Sequence, residues 1–225
     1  MPSLLAKIRR RLDGLPLTPR ELERSLTVLS SLRYVGWQRS IRRGPVDASG
    51  DPLPWITYPA IDWIAKRLAR DHQVFEYGSG HSTLWYARHV SRVVAVEDDP
   101  AWIERLRPSL PPNATVMHRP DPDSYAKTIE DHEPASFDII GIDGAARNRC
   151  ARAAPPFLKN TGFIVFDNSD RPDYAEGVHH LMDLGYQRID FVGFIPEFGH
   201  VSCTSIFFQD AALLKRKDPP PFLGY

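Results

Sequence analysis

Cysteine is nearly missing from this chain: Cys150 and Cys203, in segments far apart, are the only two among 225 residues. That excludes a disulfide framework or a cysteine zinc site and makes a reducing cytoplasm the expected compartment. An excess of one charge is missing as well. Basic and acidic residues number 28 each, for a formal net charge of zero, whereas a dedicated nucleic-acid binder normally carries a basic excess or a basic face. No apolar run approaches the ~20 residues that span a bilayer. The opening "MPSLLAKIRRRLDG" lacks the long apolar core and small-residue cleavage site of a secretory signal. Internal repeats and low-complexity tracts are missing too. What remains, 42% hydrophobic and 25% charged, is the composition of an ordinary globular protein with room for one α/β domain and an extension.

Residues 1–41 read as helical. Leu4, Leu5, Ile8 and Leu12 fall at helical spacing among basic residues, either a membrane-surface helix or a packed terminus. Then "TPRELERSLTVLSSLRYVGW" opens with Thr18 and Glu21 at capping-box spacing. "RRGPVDASGDPLP" is a loop rich in Gly, Pro, Asp and Ser, and the domain boundary is expected there. This gives 1–53 as helical extension and linker, 54–210 as the α/β domain and 211–225, with "DPPPFLGY", as an extended tail. "WITYPAIDWIAKRLARD" reads as an amphipathic helix leading into the first strand.

From there strands alternate with helices: strands at Gln73–Tyr77, Arg92–Glu97, "ATVMH", "FDIIGID" and "GFIVFDN", with helices between most of them. Such alternation means βαβ units and a parallel sheet covered on both faces. The ending breaks the pattern. "YQRIDFVGF" and "VSCTSIFFQ" are separated only by "IPEFGH", too short for a parallel crossover, so these two strands form an antiparallel hairpin. The expected fold is α/β, a doubly wound, mostly parallel seven-stranded sheet ending in that hairpin.

The chemistry concentrates in "VFEYGSGHSTLWYA", a strand ending in an acid and a glycine loop that opens a helix. Gly78 and Gly80 let the backbone turn sharply and approach a ligand. Glu97, nineteen residues beyond Gly78, closes the second strand where an acid of a doubly wound fold meets ribose hydroxyls. Together they point to a nucleoside-bearing cofactor; a tight turn with an unrelated acid is the plainer alternative. A dinucleotide loop would carry a third glycine where Thr83 stands. Glu76 would repel a pyrophosphate but suits a ligand with an ammonium and a sulfonium, and S-adenosylmethionine carries both.

"FEYGSGHST" resembles motif I of the class I S-adenosylmethionine-dependent methyltransferases, and "VVAVEDDP" resembles their acidic second-strand motif. The resemblance runs over roughly residues 55–210, and that family's sheet also ends in an antiparallel hairpin. It departs at His81, where the family commonly has a small residue. The resemblance implies that Glu76 and the Gly78–Ser79–Gly80 loop hold the methionine part, with Tyr77, Ser82 and Thr83 as further expected cofactor contacts. Glu97 would take the ribose, Asp98 would lie by the adenine, and His118 and Arg119 are weaker candidates there.

Asp143 ends the fourth strand, and Asp167 and Asn168 end the fifth. Neighbouring strands lie ~4.8 Å apart, so these oxygens would converge at the carboxyl edge of the sheet. Three hard oxygen ligands suit Mg²⁺. "IIGID" and "FIVFDN" resemble the metal-binding segments of catechol-type O-methyltransferases, where the ion binds the acceptor hydroxyl and lowers its pKa. That family has a lysine base where Ala146 stands here, with Arg147 beside it, and arginine cannot serve as a base. Asp143 contacting cofactor without metal, or simple turn and cap roles, stay open.

His200, in the hairpin loop, is a candidate general base or a plain loop histidine. Trp55 and Tyr58 are candidates for a lid over the cofactor or for packing on the sheet; Arg171 and Tyr174 are candidate acceptor contacts. Asp143 and His200 are therefore the expected catalytic residues. The expected activity is methyl transfer from S-adenosylmethionine, to oxygen of a small-molecule or sugar acceptor. No nucleic-acid partner is expected, and self-association through the terminal segments stays open. A nicotinamide oxidoreductase, a nucleotide-sugar enzyme and a non-catalytic S-adenosylmethionine binder are the rivals.

Overall fold

The computed structural model describes residues 18–215; the basic segment around Leu4–Leu12 and the end of the proline-rich tail lie outside them. Helix α1 (Pro19–Ser31) carries the anticipated capping box: the Glu21 amide donates to Thr18 Oγ1 at 3.3 Å, and Glu21 Oε2 accepts from the Thr18 amide at 2.6 Å. The helix expected to run on to residue 41 breaks in a turn at 32–36 and resumes as α2 (Trp37–Arg43). The Gly/Pro/Asp loop that follows is held by Asp47, whose Oδ1 accepts the amides of Ser49, Gly50 and Asp51. Val46 and Leu53 are buried, so this loop packs onto the body. Helix α3 (Tyr58–Ala65) stops sooner than its amphipathic pattern.

Strand and helix then alternate: β1 (Gln73–Tyr77), α4 (His81–Ala87), β2 (Arg92–Glu97), α5 (Pro100–Leu106), β3 (Ala114–His118), α6 (Pro122–Lys127), β4 (Phe137–Ile142), α7 (Arg147–Ala153), β5 (Leu158–Asp167) and α8 (Ala175–Asp183). Helix α6 fills the interval between the third and fourth strands, where the sequence pattern indicates no helix. Asp121 caps it through the amides of Asp123 and Ser124, Pro122 fits the first helical turn, and Tyr125 is fully buried. The hairpin β6 (Gln187–Phe194) and β7 (Val201–Phe208) follows, and after it a short 3-10 turn at Ala211–Leu214.

Among the described residues seven strands lie in the order β3-β2-β1-β4-β5-β7-β6, with β7 antiparallel to both its neighbours. The doubly wound, mostly parallel sheet with a terminal hairpin is thus present. Alternation along β1 sorts its side chains between two cores. Phe75 and Tyr77 join Val94, Ile140 and Phe166 on one face, while Val74 joins Ile61, Ile64 and Trp85 on the other. Glu76 shares the face of Val74, and its register partners are the small residues Ala95 and Gly141. The strand pattern that buries the aromatic rings therefore sets one carboxylate at the open end of the sheet. Among the described residues no helix is long and apolar enough to cross a membrane.

Candidate functional site

At the carboxyl ends of β1, β2, β4 and β5 lies a cleft of about 960 Å³. Its floor includes Glu76, Gly78–Gly80, Glu97, Asp143 and Asp167, and its rim includes Gly44, Trp55, Phe198 and His200. Glu76 is 5% exposed, and its Oε2 has no hydrogen-bond partner. Burial pushes its pKa up to about 7, against which the Ser82 and Thr83 hydroxyls pull. A buried carboxylate without a counterion costs free energy until a cation meets it. Gly78, at φ +105°, turns the chain here. A Cβ on it would stand 3.0 Å from the Gly144 amide nitrogen, so the loops after β1 and β4 touch backbone to backbone.

Glu97, the expected ribose acceptor, is already engaged within the protein. Its Oε2 accepts from the Ser79 amide and hydroxyl, both at 3.0 Å, and its Oε1 from the amides of Asp98 and Asp99 at 3.0 and 3.2 Å. A carboxylate has about four lone-pair sites, and all four are filled. Glu97 ties the glycine loop to the end of β2, and burial raises its pKa. Trp102, which the sequence reading missed, completes the clamp: its indole donates to the Ser79 carbonyl at 2.7 Å and its ring lies against Gly80.

Of the other cofactor candidates, Ser79, Gly80, Ser82 and Asp98 line the cleft. Tyr77 reaches its edge, but the ring is buried and its hydroxyl donates to the Ala126 carbonyl at 2.9 Å. Thr83 is fully buried and takes the Gly80 amide at 3.1 Å, so it shapes the loop from behind. His118 contacts the Asp98 carbonyl and Arg119 faces Asp131; neither lines the cleft. His81 does line it, half-buried, with its ring against Gly44 and its pKa lowered by burial, Glu197 opposing.

β4 and β5 are neighbours, so Asp143, Asp167 and Asn168 do come together. They do not enclose an open cation site. Arg147 is 8% exposed, and its guanidinium lies among them. Nε donates to the Gly144 carbonyl, Nη2 to the carbonyl and Oδ1 of Asp143 at 2.7 and 2.9 Å, and Nη1 to the Asp167 carbonyl and to Asn168 Oδ1 at 3.1 Å. The Asp167 carboxylate is turned to the Thr204 hydroxyl at 2.6 Å, and Asn168 Nδ2 to Ser202 at 3.0 Å. Among the described residues no cluster of three His, Cys, Asp or Glu side chains suits a metal. The expected Mg²⁺ set thus does not fit a divalent ion: a fixed positive charge stands between its oxygens. Burial pushes Asp167 up to about 6, with Thr204 and Arg147 pulling down; Asp143 is raised by its surroundings and by Asp167 while Arg147 opposes.

The hairpin loop roofs the cleft. Trp55 stacks on Phe198 at 5.5 Å, and the Trp55 and Trp37 indoles donate to the carbonyls of Pro196 and Phe198 at 3.1 and 2.8 Å. His200 is exposed in this loop, on the cleft, with its ring 5.3 Å from Phe198. Tyr58 packs against the core instead, while Arg171 lines the cleft, exposed, on the far side.

Fold and cleft together define a Rossmann-like sheet of the seven-stranded methyltransferase type. Among solved structures the chain is similar to precorrin-6y C5,15-methyltransferase from Geobacter metallireducens, at 19% identity over 67% of this chain and 87% of that one, with a TM-score of 0.53. Precorrin 8w decarboxylase from Methanobacterium thermoautotrophicum follows at 19% identity, 68% and 88% coverage and 0.49. Fibrillarin from Methanococcus jannaschii gives 17% identity, 68% and 75% coverage and 0.49. At such identities the likeness is one of fold. No family model matches the sequence, and no curated protein does.

Proposed function

We propose that the chain is an S-adenosylmethionine-dependent methyltransferase acting on oxygen of a small-molecule or sugar acceptor. The observation that carries this reading is Glu76: a buried carboxylate with an unpartnered oxygen, facing a cleft floored by a glycine loop. The amino-acid ammonium of the cofactor is the counterion it lacks. Gly78 and Gly80 give the ligand backbone to lie against, and Asp98 lines the nucleoside side. Glu97 would meet the ribose by exchanging the Ser79 hydroxyl, the one donor on it that a side-chain rotation releases. When bound, S-adenosylmethionine supplies a methyl already activated by its sulfonium, so the chain's task is mainly positioning.

Asp143 keeps Oδ2 for the cleft, since Oδ1 is held by Arg147. With His200 on the roof it is a candidate to take the acceptor's proton. A small acceptor is favoured by charge. The cleft is lined by the acids Glu76, Glu97, Asp98, Asp99, Asp143, Asp167 and Glu197 against the cations Arg147 and Arg171, a surface that repels a phosphodiester backbone.

Calorimetric titration with S-adenosylhomocysteine, with 5′-methylthioadenosine and NADH as comparisons, tests the reading. Micromolar binding of S-adenosylhomocysteine is expected, with methylthioadenosine weaker because it has no ammonium for Glu76. Preference for NADH, or no binding by folded protein, would refute it.

A further inference from the structure

The donor count of Arg147 is complete. A guanidinium has five N–H donors, and here five acceptors take them: Gly144 O, Asp143 O and Oδ1, Asp167 O and Asn168 Oδ1. Nothing is left over for a ligand, so this arginine does not bind substrate directly. Its carbon lies 4.8 Å from the centre of the Tyr174 ring, which covers one face of the charge. The approach is local: Ala146 takes a left-handed conformation at φ +51°, which starts α7 so that Arg147 points back under the ends of β4 and β5. Asn168, left-handed as well at φ +54°, aims its carbonyl at the guanidinium and its amide at Ser202.

A hard divalent ion gathers oxygens at 2.0–2.6 Å and cross-links the segments that carry them. Arg147 gathers oxygens from the same two strand ends and cross-links them by hydrogen bonds. We propose that Arg147 is a resident cation that positions Asp143 and Asn168 as a metal would, so that the site works without a divalent ion, and that neutralising it opens a site for one. Its placement keeps a second positive charge away from Asp143 Oδ1 and Asn168 Oδ1 and leaves the other Asp143 carboxylate oxygen free of the guanidinium. Arg147 is a positioning residue in the methyltransferase reading, but the charge argument stands apart from which cofactor the cleft takes.

The test is Mn²⁺ titration followed by electron paramagnetic resonance, on the full chain and on Arg147→Met, Arg147→Gln and Arg147→Lys, with S-adenosylhomocysteine affinity measured on the same samples with Mg²⁺ or chelator. Wild type and Arg147→Lys should leave the free Mn²⁺ signal undiminished, because both keep the charge. Arg147→Met and Arg147→Gln should take up about one Mn²⁺ per chain, displaced by Mg²⁺, and gain thermal stability from it. Wild-type affinity for S-adenosylhomocysteine should be the same in Mg²⁺ and in chelator. Mn²⁺ uptake by wild type or by Arg147→Lys would overturn the proposal, as would folded neutral variants that ignore Mn²⁺. Should neither neutral variant fold, the wild-type and lysine titrations still decide. Failure of S-adenosylhomocysteine to bind would sink the methyltransferase reading alone, since the Mn²⁺ result is read independently.

Discussion

At the scale of single residues, Glu76 sets the clearest expectations. Burial holds its pKa at about 7 against an ordinary 4.5. Between those values the unfolded chain releases a proton that the folded chain keeps, so this group's contribution makes stability fall as pH rises from about 4.5 to 7. His81 and His132, both lowered by burial, act in the opposite sense on the acid side, so the comparison must be differential. The thermal midpoint of Glu76→Gln minus that of wild type should grow from pH 5 to pH 8 and then level off; a flat difference would contradict the assignment. The same variant should lose about 10–100-fold in S-adenosylhomocysteine affinity, the worth of a charge-assisted hydrogen bond, with little effect on methylthioadenosine. Gly78→Ala forces φ +105° on a side chain and drives its Cβ toward Gly144, a strain of about 1–3 kcal/mol. Calorimetry should show weakened cofactor binding beyond any loss of global stability.

At the scale of elements, the strands and the hairpin were legible because apolar runs, glycine-acid ends and a six-residue connection are local signals. Glu76 and Gly78 were legible for the same reason. Arg147 was not: its partners Asp167 and Asn168 lie about twenty residues on, and only the β4–β5 pairing brings them under one guanidinium. Glu97 was found, but its tie to the glycine loop was not, since the Ser79 hydroxyl that occupies it is visible only in the folded loop. The roof was less legible still, because Trp37 and Phe198 are 161 residues apart. Trp37→Phe and Trp55→Phe each delete one indole donor to the roof loop, worth about 1 kcal/mol. Amide exchange over residues 197–200 should quicken about fivefold in each, while the β4 and β5 amides stay protected.

For the whole molecule, the boundary placed near residue 53 divides the chain by composition. Burial begins before that boundary. The described side chains of α1 are exposed, whereas Ser40, Val46 and Leu53 are buried and Gly44 and Pro45 line the cleft. A chain beginning at residue 36 should therefore fold and bind S-adenosylhomocysteine as the full protein does. One beginning at residue 54 loses Trp37 and the buried loop, and should melt several degrees lower and bind weakly. Equal behaviour of the two truncations in a thermal-shift and calorimetry comparison would show that residues 36–53 contribute nothing to the cleft.

The position of β7 has a consequence for how the chain assembles during synthesis. Among the described residues the strand furthest along the chain is an inner one: β7 lies between β5 and β6, and β6 has no other strand partner there. When β6 leaves the ribosome its strand partner is not yet made and only its contacts to the start of α3 are available, such as the Thr57 hydroxyl on the Phe191 carbonyl at 3.1 Å, while β5 presents an open row of amides and carbonyls. That edge stays available to other nascent chains until residues 201–208 arrive. Completion is thus a single late event, in which the closing strand seats both itself and its predecessor and swings the roof loop over the cleft.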